Sequence, residues 1–583
     1  MEHSFNLIDE SWLRVLTNDC RLKEISLKDA FINALNIADL SGETRAQDVA
    51  LLRLLAAVMY TVFSRYGLNG EDIDLLEDTE IPLNQWEDMW RQGYIPSAPI
   101  ERYFAEWHDR FWLFDEQYPF YQSNIAAEKG AYFSTAKMIG TLFESDNKKR
   151  LFSARSDQGR ELSYSEAARW LIHLDCFDDR AAKYNNAAEG LKMQVPASAW
   201  VSRLGLIALK GKNLFETILL NFRADYDVVK SVYKETPSWE QDNQNPKFNR
   251  AISAPNNQSA LLSLMSRRIC LKREENIVTG YYVYGGDFIG SKSVENGKAK
   301  NLEEREIFDE QMTLWSAYQE EKDKKAKNDV YHFRPKLLDS SMSIWREFGS
   351  IAGMDIEIGN DKSKRPGKKP GVISWLGELY EHNVLERSYM ANVVTASVIY
   401  NEGQQTSLPV IDTVSNSMNF HAQLLSDAGE KWRARIIIEI KNCESAAYYI
   451  GRLYKELQFA IGRQDKDAKT EQSGEAEAKM RFYAAIDRPF RDWLEGLTIE
   501  QDYDSSVALI ERTIRDIAVE FGRALARQSG NRAVFGRASN TKREKESEKM
   551  SSAKSLSTYY AVIRKIFKLG ESNDEDKQSG SDL

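Results

Sequence analysis

Trp432-Arg433-Ala434-Arg435-Ile436-Ile437-Ile438-Glu439-Ile440-Lys441-Asn442-Cys443 opens the stretch whose reading decides the fold of the last third of the chain. From Trp432 the apolar residues Ile436, Ile440, Cys443, Ala447, Ile450, Leu453, Leu457 and Ile461 step by three or four, the period of one long helix with a single apolar stripe. Tyr483, Ile486, Phe490 and Trp493 mark a second helix, kinked at Pro489. Ile510, Ile514, Ile517 and Phe521 mark a third, and Leu556, Tyr559, Ile563 and Ile566 a fourth. Each stripe needs a partner to leave water, so four in succession with polar connections predict a four-helix bundle over residues 422–570. The acidic tail 571–583 has no apolar face and is expected to be disordered.

Upstream, residues 1–421 read as one large mixed domain. Phe5-Asn6-Leu7-Ile8 and Trp12-Leu13-Arg14-Val15 look like two short strands around an Asp-Glu-Ser turn. A helix is expected from about Arg45 to Tyr66, on the spacing of Val49, Leu52, Leu55, Val58 and Val62. The crowded aromatic residues from Trp86 to Tyr121 form too apolar a stretch to stay exposed, and are expected in a core rather than on a base-stacking surface. Short mixed segments follow, alternating with polar loops. The fold class is α+β, a large mixed N-terminal domain followed by a C-terminal four-helix bundle.

The 583 residues are 42% apolar and 28% charged, enough for sizeable cores and far from a disordered or collagen-like composition. Cys20, Cys176, Cys270 and Cys443 are widely spaced with no C-x-x-C, which argues against a structural zinc site and suits a reducing compartment. No signal peptide and no bilayer-length apolar run stand out, so the expected location is cytoplasmic, without a membrane partner. The net charge of −10 disfavours indiscriminate polyanion binding, yet the charge is sorted into patches. Residues 71–80 carry six acids and no base, whereas 362–369 (KSKRPGKK) carry five bases and no acid and read as a loop.

Tyr281-Tyr282-Val283-Tyr284-Gly285-Gly286-Asp287-Phe288-Ile289-Gly290-Ser291-Lys292 tempts two catalytic readings. As a phosphate loop it has one residue too many before Lys292, which breaks the reach of the lysine to phosphate. As a cyclase motif it lacks a second acid beside Asp287 to hold a metal pair. A Gly-Gly turn at a strand end accounts for it. The six histidines form no ligand motif, and there is no G-x-S-x-G. The residues select no catalytic set, no metal and no cofactor; the expectation is a protein that is not an enzyme. Three basic stretches suit contact with nucleic acid or another subunit, one of them the loop 362–369. Residues 147–155 mix Lys148, Lys149, Arg150 and Arg155 with one aromatic, Phe152. From Arg523 to Lys554 nine bases face three acids in a Gly/Ser/Asn-containing connection, expected to be flexible and to touch DNA backbone through Arg523, Arg527, Arg532, Arg537, Lys542 and Arg543.

The front of the chain resembles the CasA family, the large subunit of the type I-E CRISPR surveillance complex, Cascade. The resemblance is carried by Phe5-Asn6-Leu7-Ile8-Asp9-Glu10-Ser11-Trp12-Leu13-Arg14-Val15, Ile25-Ser26-Leu27-Lys28-Asp29-Ala30-Phe31, Val49-Ala50-Leu51-Leu52-Arg53-Leu54-Leu55 and, most specifically, Arg110-Phe111-Trp112-Leu113-Phe114-Asp115-Glu116-Gln117-Tyr118-Pro119-Phe120-Tyr121-Gln122. It covers roughly the first 125 residues and returns in the C-terminal bundle. It implies a non-catalytic subunit that reads a short protospacer-adjacent motif in double-stranded DNA from the minor groove, promotes strand opening and R-loop formation, and recruits a helicase–nuclease for antiviral defence. The implied partners are CRISPR RNA, target DNA, the helicase–nuclease and the other Cascade subunits: a small helical subunit, a repeated backbone subunit and a handle-binding subunit.

Carried over position by position, the resemblance places the loop that contacts the complex and flanking DNA at Arg150, Phe152, Ser153, Ala154 and Arg155. It places the minor-groove loop at 183–190, with Lys183, Asn185, Asn186 and Gly190. Only one glycine stands there, so Asn185 or Asn186 is an alternative contact to base edges. The wedge between strands falls on Gln404 and Gln405, in a polar turn after an apolar run. Zinc, held by paired cysteines in some family members, has no such pair here. The competing readings are a metal-dependent nuclease or nucleotide cyclase using Asp287, and an interaction scaffold without DNA contact.

Overall fold

The computed structural model describes residues 4–74, 81–140, 161–178, 198–224, 235–242, 249–252, 255, 257–289, 310–319, 330–338, 342–358, 363–400, 410–462, 468–538 and 549–567. The chain divides into two compact units. The first takes 1–340, 350–385 and 391–417; the second takes 341–349, 386–390 and 418–583.

In the first unit the expected N-terminal helix is α1, Arg45–Phe63, capped by the Thr44 hydroxyl, which accepts from the Gln47 N–H at 3.1 Å. It is long and apolar enough to cross a membrane by length and composition, but every residue from Ala46 to Phe63 is buried within the fold. A helix apolar all round needs protein on all sides. Helix α2, Tyr164–Phe177, and the turn of helix Gln258–Leu262 pack against it.

The two opening strands exist, as Ser4–Asn6 and Leu13–Thr17, but they do not pair with each other. Ser4–Asn6 lies antiparallel to Trp112–Phe114, while Leu13–Thr17 is the centre of a sheet with Leu22–Ile25 and Ile37–Leu40. The physical reason is burial. Leu7 and Ile8 are both buried, and their carbonyls accept from Leu27 and Lys28 N–H, so the chain after Asn6 is tied into the unit there, and only the Asp9-Glu10-Ser11 turn is exposed. The aromatic stretch from Trp86 to Tyr121 is core as expected, apart from the exposed Tyr94: Trp86, Tyr103, Phe104, Phe111, Phe114, Phe120 and Tyr121 are buried, and Trp90, Trp107, Trp112 and Tyr118 half-buried.

A further three-stranded sheet has Ile277–Val283 in its centre, between Ala131–Ser134 and Ile269–Glu274. Gly285 (φ +53°) then turns the chain, and Gly286 begins a strand, Gly286–Ile289, that runs parallel to Asn249–Ile252. A Cβ on Gly286 would stand 1.7 Å from the Ser266 carbonyl oxygen, so close backbone approach accounts for that glycine. The stretch 362–369 is not simply a loop: Ser363–Arg365 pairs antiparallel with Ile356–Ile358, and the Lys368 ammonium lies 4.1 Å from the Trp315 ring centroid. The apolar run before the expected wedge is a strand, Met390–Tyr400, placed between Val410–His421 and Ala208–Lys210.

The second unit is built on the bundle: α3 Glu430–Ala460, α4 Ala468–Glu495, α5 Tyr503–Gln528, a short α6 Gly530–Phe535 and α7 Ser552–Ile566. Helix α3 packs on α4, α5 and α7. Its buried stripe is the one read from the sequence, with Trp432, Ile436, Ile440, Cys443, Ala447, Ile450, Leu453 and Leu457 all inside. Helix α4 runs through Pro489 and buries Phe482, Ile486 and Phe490; Tyr483 is half-buried beneath the Arg346 guanidinium, 4.1 Å from its ring centroid. Gly522 lets α7 approach α5: a Cβ there would meet the Tyr559 ring at 2.4 Å, and the Tyr559 hydroxyl donates to the Ala518 carbonyl at 2.8 Å. The segment 341–349 joins this core through Trp345, stacked on Phe490 at 4.1 Å and donating to Asp487 at 2.8 Å.

Candidate nucleic-acid interface

The basic stretch after Arg523 is more ordered than its composition suggested. Arg523 and Arg527 stand on the last turns of α5, both exposed; Arg523 pairs with Glu520 one turn earlier. Gly530 (φ +71°) then redirects the chain into α6, which carries Arg532. Gly536 (φ +64°) ends α6, and a Cβ there would lie 2.2 Å from the Met550 carbonyl oxygen. Arg537–Ala538 next pairs antiparallel with Lys549–Met550, and Ser551 caps α7 by accepting from the Lys554 N–H. The expectation of a flexible connection is therefore corrected for 523–538: left-handed turns that favour glycine and a short strand pair hold it, and a buried Ala533 packs it to the bundle. Lys542 and Arg543 lie outside the described residues.

This frame holds out a feature that the sequence reading missed. Phe535 is 74% exposed and its neighbour Val534 62%. Arg527 and Arg532 have no ion-pair or side-chain hydrogen-bond partner among the described residues, and the Arg537 guanidinium sits 5.7 Å from the Phe459 ring centroid. An exposed phenyl ring on a short helix that also carries an exposed arginine can meet backbone phosphate and a base or partner side chain together. No periodicity marks Phe535, because an apolar residue at a helix end ordinarily reads as core.

The other expected sites are approached only by their frames. Arg150, Phe152, Ser153, Ala154 and Arg155, then Lys183, Asn185, Asn186 and Gly190, and finally Gln404 and Gln405 all lie outside the described residues. Helix α2 stands between the first two groups in the chain. Its N-terminus has a capping box, Ser163 with Glu166, and Leu162 bridges to Val278. At its other end Asp178 accepts from Arg267 Nε at 2.5 Å, and the Asp178 carbonyl accepts from Ala199 N–H at 2.9 Å.

Around α2 lies a sealed set of ionisable groups. Burial pushes the Asp175 carboxyl up to about 8 and drives the Cys176 thiol up, while the His173 imidazole, buried with neither nitrogen finding a hydrogen-bond partner among the described residues, is brought down to about 4. Arg53 and Glu310 form a fully buried bidentate pair at 2.8 and 3.0 Å. Asp287, the acid of the tempting glycine motif, is 2.7 Å from Arg268 Nη2. A carboxylate held in a buried ion pair is a structural element of these sheets. No cluster of three or more His, Cys, Asp or Glu that could hold a metal occurs among the described residues.

Residues 6–521 match the protein family described as CRISPR-associated protein Cse1. The chain belongs to the Cse1 family. Among its relatives, a CasA/Cse1 protein of Thermus thermophilus is 30% identical over 237 residues, an alignment spanning 40% of this chain and 42% of that protein. The fold is similar to that of Thermobifida fusca Cse1, with a TM-score of 0.75 at 24% identity over 97% of this chain and 98% of the other. Thermus thermophilus CasA follows with 0.66 at 19% identity over 98% and 100%. A chain of a structure described as a CRISPR RNA-guided surveillance complex gives 0.64 at 13% identity over 96% and 100%. The resemblance read from the first 125 residues is thus a Cse1 membership reaching across both units. The matched Cse1 residues end two positions before Arg523, so α6, Phe535 and the strand pair lie beyond them.

Proposed function

We propose that this protein is the large subunit of an RNA-guided CRISPR surveillance complex. It reads a flanking motif in double-stranded DNA, helps to open the strands beside it and presents the opened target to a helicase–nuclease, without catalysing a reaction itself. Membership of the Cse1 family over residues 6–521 carries the reading. The exposed arginines at the end of α5 and α6 add to it a surface suited to DNA backbone. In this reading 150–155 and 183–190 meet the complex and the flanking duplex, with Phe152 as the aromatic anchor and Asn185 or Asn186 at base edges. Gln404 and Gln405 fill the gap between parted strands. A glutamine can enter that gap without burying a charge, and its amide can bond to exposed bases or backbone.

The test uses the assembled complex with its guide RNA. Replacing Gln404 and Gln405 by alanine is expected to slow R-loop formation on intact duplex while leaving a target with a pre-opened bubble nearly unaffected. Equal losses on both targets would remove the wedge role. A complex that binds motif-bearing and motif-scrambled duplexes alike, with and without this subunit, would overturn the function as a whole.

A further inference from the structure

Arg110 is a cation that the first unit leaves without a counter-charge. Its side chain is half-buried, and among the described residues it makes no ion pair and no side-chain hydrogen bond. The guanidinium lies instead over the Tyr118 ring, 3.6 Å from its centroid. Contact with a ring face holds the charge in place but satisfies none of the five guanidinium N–H donors. An arginine kept half out of water in this way presents a fixed fork of unused donors.

Beside the stack is an open pocket, lined by Arg110, Tyr118, Phe120 and Tyr121 from one stretch of chain and by Trp239 and Gln241 from another. The Trp239 ring is buried against Phe120 at 6.0 Å and Tyr121 at 6.3 Å, and its indole N–H is spent on the Tyr103 hydroxyl at 2.7 Å, so this part of the lining is apolar. Gln241 is exposed, with its amide donating to the Thr236 carbonyl at 3.2 Å. Tyr121 is buried in a left-handed conformation, φ +53°, and no carbonyl among the described residues accepts from its N–H. A non-glycine residue in that region is costly and persists only where its surroundings hold it, and such residues gather at ligand clamps. Donors without acceptors, set against apolar rings, suit one anionic oxygen-bearing group.

Size and charge choose that group. The centre of a water-sized group has about 10 Å³ to move in, room for one such group and too little for a nucleobase or any other ring. Asp109, Glu116 and Asp242 are exposed and stand within two residues of the lining along the chain. Their charges oppose a phosphodiester chain, which brings a new negative charge with every residue, whereas a single carboxylate is compensated by Arg110 alone.

We propose that the Arg110–Tyr118 stack and its pocket are a docking point for an Asp or Glu side chain of a partner protein in the surveillance complex. This rests on the reading of the chain as a subunit of that complex. The experiment adds the full chain to a complex assembled from the remaining subunits and guide RNA, and measures the dissociation constant for its incorporation, the melting temperature of the free chain and the affinity of the saturated complex for target DNA. Arg110→Gln should weaken incorporation at least tenfold, the scale of a hydrogen-bonded charge pair broken across an interface, with a melting temperature within about 3 °C of the parent. Arg110→Lys keeps the charge but loses the fork, and should recover less than half of that loss on a logarithmic scale. DNA affinity at saturation should match the parent for both variants. Parent-like incorporation of Arg110→Gln, a loss that follows melting temperature, full recovery in Arg110→Lys, or normal incorporation with weakened DNA binding, which would assign the cation to a phosphate, would each overturn the proposal. A parent chain that does not join the complex would overturn the subunit reading and the proposal with it, whereas a parent that joins and an Arg110→Gln variant that joins equally well remove the docking point alone.

Discussion

Gln122 shows why a short stretch can carry a family resemblance without touching a ligand. Its amide donates to the Leu113 carbonyl at 2.6 Å and accepts from the Leu271 N–H at 2.8 Å, joining two strands far apart in the chain. Tyr121 beside it is left-handed (φ +53°) and buried, a conformation that only the surrounding packing sustains. Gln122→Leu would orphan a buried donor and a buried acceptor, and is expected to cost about 2–4 kcal/mol in urea unfolding; a loss under about 1 kcal/mol would show that water replaces the amide. His173 gives a pH signature. Its folded pKa is near 4 and its unfolded one near 6.5, so the unfolded chain takes the proton first and stability falls as pH drops from 6.5 toward 4. Glu43 and Asp178 are the charges that oppose this shift. His173→Leu should flatten that limb, the difference from the parent moving in favour of the variant by up to about 3 kcal/mol on acidification. Parallel pH profiles would mean that the imidazole is hydrated in solution.

At the level of elements, the bundle helices were legible because their stripes depend only on residues three and four apart, and the residues at the stripes are buried or half-buried. The end of the bundle was not legible. A Gly- and Arg-containing connection looks flexible in composition, whereas Gly530 and Gly536 are the two positions that let it turn tightly and pair back on Lys549–Met550. Phe535→Ser should leave the melting temperature nearly unchanged, since the ring is mostly in water, yet weaken DNA binding by the complex by about 1–3 kcal/mol if the ring stacks on a base. Arg527→Gln with Arg532→Gln should instead weaken motif-bearing and motif-free DNA alike and lower the log–log salt slope by up to about 0.9 for each phosphate no longer neutralised. A salt slope identical to that of the parent would take this surface away from the DNA.

Across the whole molecule, the first unit is fastened by pairs that no local pattern announces. Arg53 on α1 and Glu310 are 257 residues apart and wholly buried together. Arg53→Met alone should cost about 3–5 kcal/mol by stranding a carboxylate, and Arg53→Met with Glu310→Leu should recover most of it. If the single and double variants unfold at the same denaturant concentration, the pair contributes nothing beyond its volume. Such a pair explains how a chain with long insertions keeps one core: the charge of each partner makes any other burial of either more costly.

What the sequence determined by itself was the period of each helix, the apolar mass of the 86–121 core, the turn at Gly285 and the family, each a property of residues near one another or of a motif read in order. Only the tertiary structure decided that Ser4–Asn6 pairs with Trp112–Phe114 instead of its neighbour, that Phe535 stands in water, and that Gly140 rests on His173. The reason is that hydrogen-bonding and side-chain periods are written into adjacent backbone, whereas the choice among distant partners depends on which closure buries the most apolar surface with every polar group satisfied, and that sum exists only for the folded chain.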